Sequence, residues 1–208
     1  MTAPRRIAFV TGGAGFIGSN IVAKLAEDRG LDVVVCDRLR SADLGKWRNI
    51  AKHPIGDFVA PEDMFDWLEK RWRDVDVVIH MAAVSTTMEP DADKIIHANF
   101  TLSRDLFRWC ADRQRRFIYA SSAATYGEGS GGFVDDNDLE AMAALRPLNT
   151  YGWSKALFDP LALRPPLPRP APPHWVGPQL STAYRTTAER TATITSEAPH
   201  TTQRAPPA

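Results

Sequence analysis

Cysteine is scarce in this chain: two among 208 residues, Cys36 and Cys110, at no spacing that a metal site uses. A disulfide-stapled scaffold is thereby excluded. Cys36 lies in an apolar run and Cys110 in a helical pattern, so both are expected as buried small hydrophobes in a reducing compartment rather than as reactive thiols. Net charge is missing as well. Lys and Arg total 25, as do Asp and Glu, which removes the electrostatic footprint of a nucleic-acid or anionic-membrane binder. No long apolar run occurs. The opening MTAPRRIAFV sets two arginines before apolar residues, as a secretory leader would, but Thr11, Gly12 and Gly13 interrupt it at once. With no stretch of spanning length, a cytoplasmic protein is expected. Proline is sparse where periodic structure is to be read, since only five of the 16 prolines precede Pro160.

What is present begins with Arg6 to Gly18, RIAFVTGGAGFIG, a short apolar run, a glycine-rich turn and the opening of an amphipathic helix. Each glycine has its own task in a dinucleotide-binding turn. Gly12 permits the tight passage from strand to helix, Gly15 lets a pyrophosphate approach the backbone, and Gly18 lets the helix lie close on the strand. The helix then presents its N–H groups and positive dipole end to the phosphates. Ile17, Ile21, Val22 and Leu25 recur at helical spacing, and Arg29-Gly30 ends the helix. Leu31 to Asp37 reads as the second strand. Asp37, about 20 residues beyond the turn, stands where the ribose 2′-hydroxyl of NAD is held. Arg38, Arg40 and Lys46 follow it and suit a 2′-phosphate, although Arg40 and Lys46 read equally well as a solvated basic loop. NAD and NADP both stay open on these residues.

Further on, Pro54 to Phe58 reads as a third strand, Pro61 to Trp72 as a helix with Met64, Trp67, Leu68 and Trp72 on one face, and Val75 to His80 as a buried fourth strand. The small residues Met81-Ala82-Ala83-Val84-Ser85 follow, at the strand end where open α/β sheets bind ligands. His80 reads as a base or, more commonly for such a position, as a satisfied histidine. Asp91 to Gln114 is a long amphipathic helix, with Ile95, Leu102, Leu106 and Trp109 on its stripe. Asn99 shares that stripe and needs a partner there, in a loop backbone, the cofactor site or both. Arg116 to Ala120 is the fifth strand, and it runs into SSAATYG.

The chemistry is concentrated beyond that strand. After a polar loop, Glu128 to Asp138, a helix opens near Asn149 and carries Tyr151 and Lys155. Four residues apart, these side chains share one face. An ammonium near a phenol favours the phenolate, which makes Tyr151 a candidate proton acceptor. A hydroxyl from Ser122 would hold the substrate oxygen against it.

TGGAGFIG, HMAA, SSAATYG and YGWSK together resemble the extended short-chain dehydrogenase/reductases, in particular their sugar-nucleotide epimerase/dehydratase group. Within that group, Ser85-Thr86-Thr87, YASSAATYG and PLNTYGWSKALFD are similar to the branch that epimerises ADP-heptoses, over Arg6 to Asp159. The resemblance implies an α/β fold with a Rossmann-type, doubly wound parallel sheet. It implies cofactor contacts at Gly12, Gly15, Phe16, Ile17, Gly18, Asp37, Arg38, Lys46, Met81, Ala82, Ala83, Val84, Ser85, Asn99, Tyr151 and Lys155. Ser122, Tyr151 and Lys155 fall at the reacting centre, no metal is needed, and NADP is the branch's usual cofactor. The partner implied is a nucleotide-sugar, an ADP-heptose, in a homo-oligomeric enzyme that contributes to lipopolysaccharide core sugars. The chain departs from the branch at Pro61, where the branch has a lysine. A 4,6-dehydratase is a poorer match, because that group places an Asp-Glu pair where Ala123-Ala124 stand here; a 4-epimerase is a further alternative.

Composition changes after Asp159. Eleven prolines and many threonines follow, and apolar periodicity fades. The expected organisation is a dinucleotide-binding domain over 1–159 and a disordered, irregular tail over 160–208 that does not belong to family sequence, with the substrate domain missing. One island, Pro172 to Gly177, resembles the approach to a sixth strand. A reading-frame change near Pro160, and another around Gly177, would produce this pattern; translation of the coding DNA in the other frames tests it. Two functional readings follow, an epimerase by lineage and a nucleotide-binding chain without turnover. For this chain alone the expectation is weak NADP binding, no measurable epimerisation and, with a sheet edge uncovered, poor solubility.

Overall fold

Five of the six residues of the first strand, β1 (Arg6–Thr11), are buried, and the strand pairs in parallel on both sides. A strand covered on both faces reads as a continuous apolar run rather than an alternating one, which is why IAFV is unbroken. The computed structural model describes residues 6–28, 30–39, 45–134, 138–163, 172–177, 179–180, 182–185 and 192–195. Two compact units divide between Ala82 and Ala83 along the main chain.

The first unit continues with α1 (Phe16–Leu25), β2 (Leu31–Cys36), a short 3-10 turn Lys46–Asn49, β3 (Asp57–Val59), α2 (Met64–Arg71) and β4 (Val75–His80). Its strands lie in the order β3-β2-β1-β4, all parallel. The register sets Thr11 opposite both Cys36 and His80, so the three strand ends finish together. α2 packs through Met64 and Leu68, both buried, and Trp67 lies on Phe9 with ring centroids 5.2 Å apart. The third strand begins later than Pro54, because Gly56 N–H first bonds to the Val33 carbonyl at 2.8 Å and the ladder opens at Val34 and Asp57. Proline has no N–H to contribute to that ladder. The helix expected from Pro61 starts as a 3-10 turn, Pro61–Asp63, before becoming α-helical.

In the second unit, the helix expected over Asp91 to Gln114 occurs in three parts: α3 (Ala92–Ile95), a π-helical turn Ile96–Thr101 and α4 (Leu102–Asp112). Asp91 caps it, accepting from Lys94 N–H at 3.0 Å. Then come β5 (Arg116–Tyr119), β6 (Ser121–Ser122), a 3-10 turn Ala123–Tyr126, α5 (Leu139–Ala144), α6 (Thr150–Leu163), β7 (Trp175–Val176) and β8 (Gln179–Leu180). β7 runs parallel to β5, and β8 parallel to β6. Two more strands, β9 (Thr182–Arg185) and β10 (Ala192–Thr195), pair with each other. The alternation of strand and helix with parallel pairing in both units is the Rossmann-type α/β fold.

Aromatic packing decides where α6 lies. Phe107, Phe117, Tyr119, Phe158 and Trp175 form one cluster, Tyr119 to Phe158 being the closest pair at 4.5 Å. Each such ring contributes about 0.5–1.5 kcal/mol per pair beyond its area. The expected boundary at Asp159 falls inside α6, which continues through Pro160 to Leu163. The proline removes one helical hydrogen bond, but burial of Phe158 and Ala162 holds the last turn in place. The island at Pro172 to Gly177 supplies β7, with Trp175 buried in the cluster. The rest of the expected irregular tail, apart from the strands named, lies outside the described residues. Among the described residues no helix is long and apolar enough to cross a membrane, and no group of three or more His, Cys, Asp or Glu could hold a metal ion.

Candidate active site

The glycine turn is held at both backbone groups of one residue. Ala14 N–H donates to Asp37 Oδ2, and the Ala14 carbonyl accepts from Asn49 Nδ2, each at 2.9 Å. Gly12 has φ +67°, and a Cβ there would lie 2.7 Å from Ala82 N. The backbone of Met81 and Ala82 therefore rests on the turn, held by Met81 N–H to the Thr11 carbonyl at 3.1 Å and Ala82 N–H to Thr11 Oγ1 at 3.3 Å. At Gly18 a Cβ would fall 2.2 Å from the Gly12 carbonyl oxygen, so the helix is seated on the turn itself. At Gly15 the nearest atom to such a Cβ is the Gly12 oxygen at 3.1 Å. α1 opens there with Phe16 and Ile17, both half-buried, and has neither a side-chain cap nor an acidic residue in its first turn. An uncapped helix start beside a glycine fits the pyrophosphate of a dinucleotide.

Asp37 is buried, and both of its oxygens are engaged. Oδ2 holds Ala14, while Oδ1 accepts from Arg38 N–H at 2.7 Å and from Lys46 Nζ at 2.5 Å. Arg38 turns its guanidinium to Glu62, with Nη2 at 2.9 Å and Nε at 3.2 Å from one carboxylate oxygen. Arg40 lies outside the described residues. His80 is buried with Nδ1 2.7 Å from Thr11 Oγ1, the satisfied strand-end histidine. Cys36 and Cys110 are both buried. Desolvation pushes the Cys36 thiol up to about 12 and raises that of Cys110 as well.

In the second unit Asn99 clamps the loop after β4. Its Oδ1 accepts from Val84 N–H at 2.8 Å, and its Nδ2 donates to the Val84 carbonyl and to Ser154 Oγ, each at 3.0 Å. Ala83 and Ser85, on either side of Val84, are exposed. The π-helical turn carries this buried amide, and such widened turns recur at functional sites.

α6 is capped by Asn149, whose Oδ1 accepts from Gly152 N–H at 2.9 Å. Its inward residues are Gly152, Ser154, Lys155, Phe158, Asp159 and Ala162, so an ammonium and a carboxyl flank the aromatic anchor. Lys155 is 2% exposed and donates Nζ to the Ala120 carbonyl at 2.8 Å. Burial lowers its ammonium to about 8, which keeps it mostly charged at neutral pH. Tyr151, one turn earlier, is half-buried. Ser122 is buried at the start of the 3-10 turn; its Oγ accepts from Ala124 N–H at 3.2 Å and retains its own proton to donate.

Four residues with a bearing on the site were not singled out from the sequence. Asn49 and Glu62 come from short 3-10 turns, where periodicity has no reach. Gly152 allows α6 to meet the preceding turn, since a Cβ would lie 2.5 Å from the Ala124 carbonyl oxygen. Asp159 carried a usable signal, its i, i+4 spacing from Lys155. Its Oδ2 accepts from Ser121 Oγ at 2.7 Å, Oδ1 has no partner among the described residues, and burial pushes the carboxyl up to about 8.

A model of the NAD dependent epimerase/dehydratase family matches residues 8–164. An ADP-L-glycero-D-manno-heptose-6-epimerase of Fusobacterium nucleatum is 41% identical over 177 residues, which cover 84% of this chain and 52% of that protein. The ADP-L-glycero-D-manno-heptose-6-epimerase of Helicobacter pylori has a similar solved structure, with TM-score 0.63 and 28% identity over 77% of this chain and 50% of that chain. The UDP-glucuronic acid 4-epimerase of Bacillus cereus, solved with UDP-glucuronic acid and NAD, gives TM-score 0.61 and 29% identity over 75% of this chain and 51% of that chain. The chain spans about half the length of the relatives it matches.

Proposed function

The chain belongs to the NAD dependent epimerase/dehydratase family, and from that premise we propose that residues 1–159 carry the NADP site and the acid–base residues of an ADP-heptose 6-epimerase. The substrate is ADP-D-glycero-D-manno-heptose, converted to its L-glycero epimer by transient oxidation at C6″. The protein is cytoplasmic and homo-oligomeric in this reading. The observation that carries it is the Tyr151–Lys155 helix, with Lys155 buried, charged and fixed on the Ala120 carbonyl beside Ser122.

NADP, when bound, supplies the acceptor and donor of hydride. Tyr151 holds and moves the proton of the C6″ hydroxyl, Lys155 supplies the positive field that favours the phenolate, and Ser122 donates its O–H to the sugar oxygen. Gly12, Gly15, Phe16, Ile17 and Gly18 hold the pyrophosphate, and Asp37, Arg38 and Lys46 the adenosine ribose. Met81 to Ser85 and Asn99 would supply further contacts to the cofactor. No net redox change results.

A second reading, a nucleotide-binding chain without turnover, is kept because the match covers only about half of each relative's length. Two assays on the purified chain separate them: NADPH titration by fluorescence, and chromatographic resolution of the two ADP-heptose epimers. L-glycero product that falls by about 10²–10⁴-fold in Tyr151→Phe supports the epimerase. NADPH binding with no product supports the second reading, and failure to bind NADPH or NADH overturns both.

A further inference from the structure

Three of the four residues from Gly12 to Gly15 are glycine, and glycine loses more conformational freedom on ordering than any other residue. Such a turn does not supply its own rigidity. Ala14 is the exception, fully buried, and it is the residue that the rest of the unit grips. Asp37 Oδ2 accepts from Ala14 N–H, which fixes the peptide joining Gly13 to Ala14, and Asn49 Nδ2 donates to the Ala14 carbonyl, which fixes the peptide joining Ala14 to Gly15. Two successive peptide planes are thereby pinned. The second carries the Gly15 N–H, whose bond to the Gly12 carbonyl at 3.0 Å closes the turn, and Gly15 is also the N-cap of α1. Asn49 reaches the turn because its own segment is anchored at both ends. Gly45, at φ +99°, opens the 3-10 turn Lys46–Asn49, and the buried Ile50 closes it. Lys46 donates to Asp37 Oδ1 at 2.5 Å, and so braces the acid that holds the other side of Ala14.

We propose that Asn49 is a positioning residue for dinucleotide binding, which holds the glycine turn in its binding shape before the cofactor arrives, so that the glycines need not be ordered at the moment of binding. This rests on the dinucleotide reading of the glycine turn. Asn49 acts through the Ala14 carbonyl and needs no contact with the cofactor itself. Without the amide, a carbonyl on a fully buried residue loses its donor, and the peptide that carries the Gly15 N–H is released to turn. The effect falls on backbone that either dinucleotide would meet. NADPH and NADH therefore depend on Asn49 alike.

The test is calorimetric titration of the full chain with NADPH and with NADH, for wild type, Asn49→Ala and Asn49→Leu, with amide exchange at Gly15 followed in the cofactor-free proteins. Leucine fills the space of the asparagine but offers no donor. Both variants are expected to bind each cofactor about tenfold more weakly than wild type and to exchange the Gly15 amide about tenfold faster. Lower global stability by itself leaves the affinity of the folded chains unchanged, so a residue that served folding alone would move urea unfolding and not the titrations. Unchanged affinity for both cofactors, a loss confined to one of them, unchanged exchange at Gly15, or wild-type affinity in Asn49→Leu would each overturn the proposal while leaving the dinucleotide site intact. A wild-type chain that binds neither cofactor would instead overturn the reading on which it rests.

Discussion

Gly18→Ala is expected to lower stability by about 3 kcal/mol and to abolish NADPH binding. The added methyl would lie 2.2 Å from the Gly12 carbonyl oxygen, 2.8 Å from its carbon and 2.9 Å from Gly13 Cα, all backbone atoms of the turn. Backbone cannot rotate away as a side chain can, so either the helix lifts or the turn opens. Alanine does favour the helix by about 1 kcal/mol over glycine, but that gain is smaller than the overlap. Gly15→Ala provides the contrast. Its Cβ meets only one atom, at 3.1 Å, and its φ of −71° suits any residue. Stability is expected to stay within about 1 kcal/mol of wild type, while NADPH affinity falls because the methyl occupies the approach of the pyrophosphate. Urea unfolding and fluorescence titration on both variants check the pair. Equal stability losses, or unchanged binding in Gly15→Ala, would contradict this account of the turn.

The second large effect is a pH dependence centred on α6. Asp159 has a folded-state value of about 8 against an ordinary 3.8, because burial disfavours its charged form. Between those values the folded chain holds a proton that the unfolded chain has released. Stability therefore falls as pH rises from about 4 to about 8. Lys155 is displaced the other way, to about 8 from 10.5. Its burial cost is fully present below about 8 and is relieved as pH rises toward 10.5. The two limbs place a stability minimum near pH 8. Between pH 5 and pH 7.5 the Asp159 limb is worth on the order of 3 kcal/mol. Asp159→Asn mimics the protonated acid, keeping an acceptor for Ser121 and a donor on the second atom. The variant is expected to hold its stability between pH 5 and pH 7.5 while wild type loses about that amount, measured by urea unfolding. Parallel stability curves for the two proteins would refute it.

Much of the first unit was legible because its signals are local. An unbroken apolar run too short for a helix and closed by glycines reads as a strand covered on both faces, GGAGFIG turns where glycine is allowed, and the distance to Asp37 spans one helix and one strand. Tyr151 and Lys155 were legible for the same reason, since helical spacing alone puts them on one face. The third strand was misplaced because Pro54 to Phe58 is too short for periodicity to resolve where the ladder begins. The π-helical turn was hidden because it costs the pattern nothing: Ile95, Leu106 and Trp109 still face inward around it.

The amino-acid sequence by itself determined most of the elements and the candidate residues of the site, since these depend on neighbours a few residues apart. Tertiary structure alone decided what those groups do in place. It set Lys155 on the Ala120 carbonyl, locked Asn99 to Val84, engaged both oxygens of Asp37 and tied Arg38 to Glu62. Such partners come mostly from turns and strand ends 9 to 35 residues away. Charge, burial and hydrogen bonding at a site are properties of that assembled neighbourhood, and no local pattern encodes them.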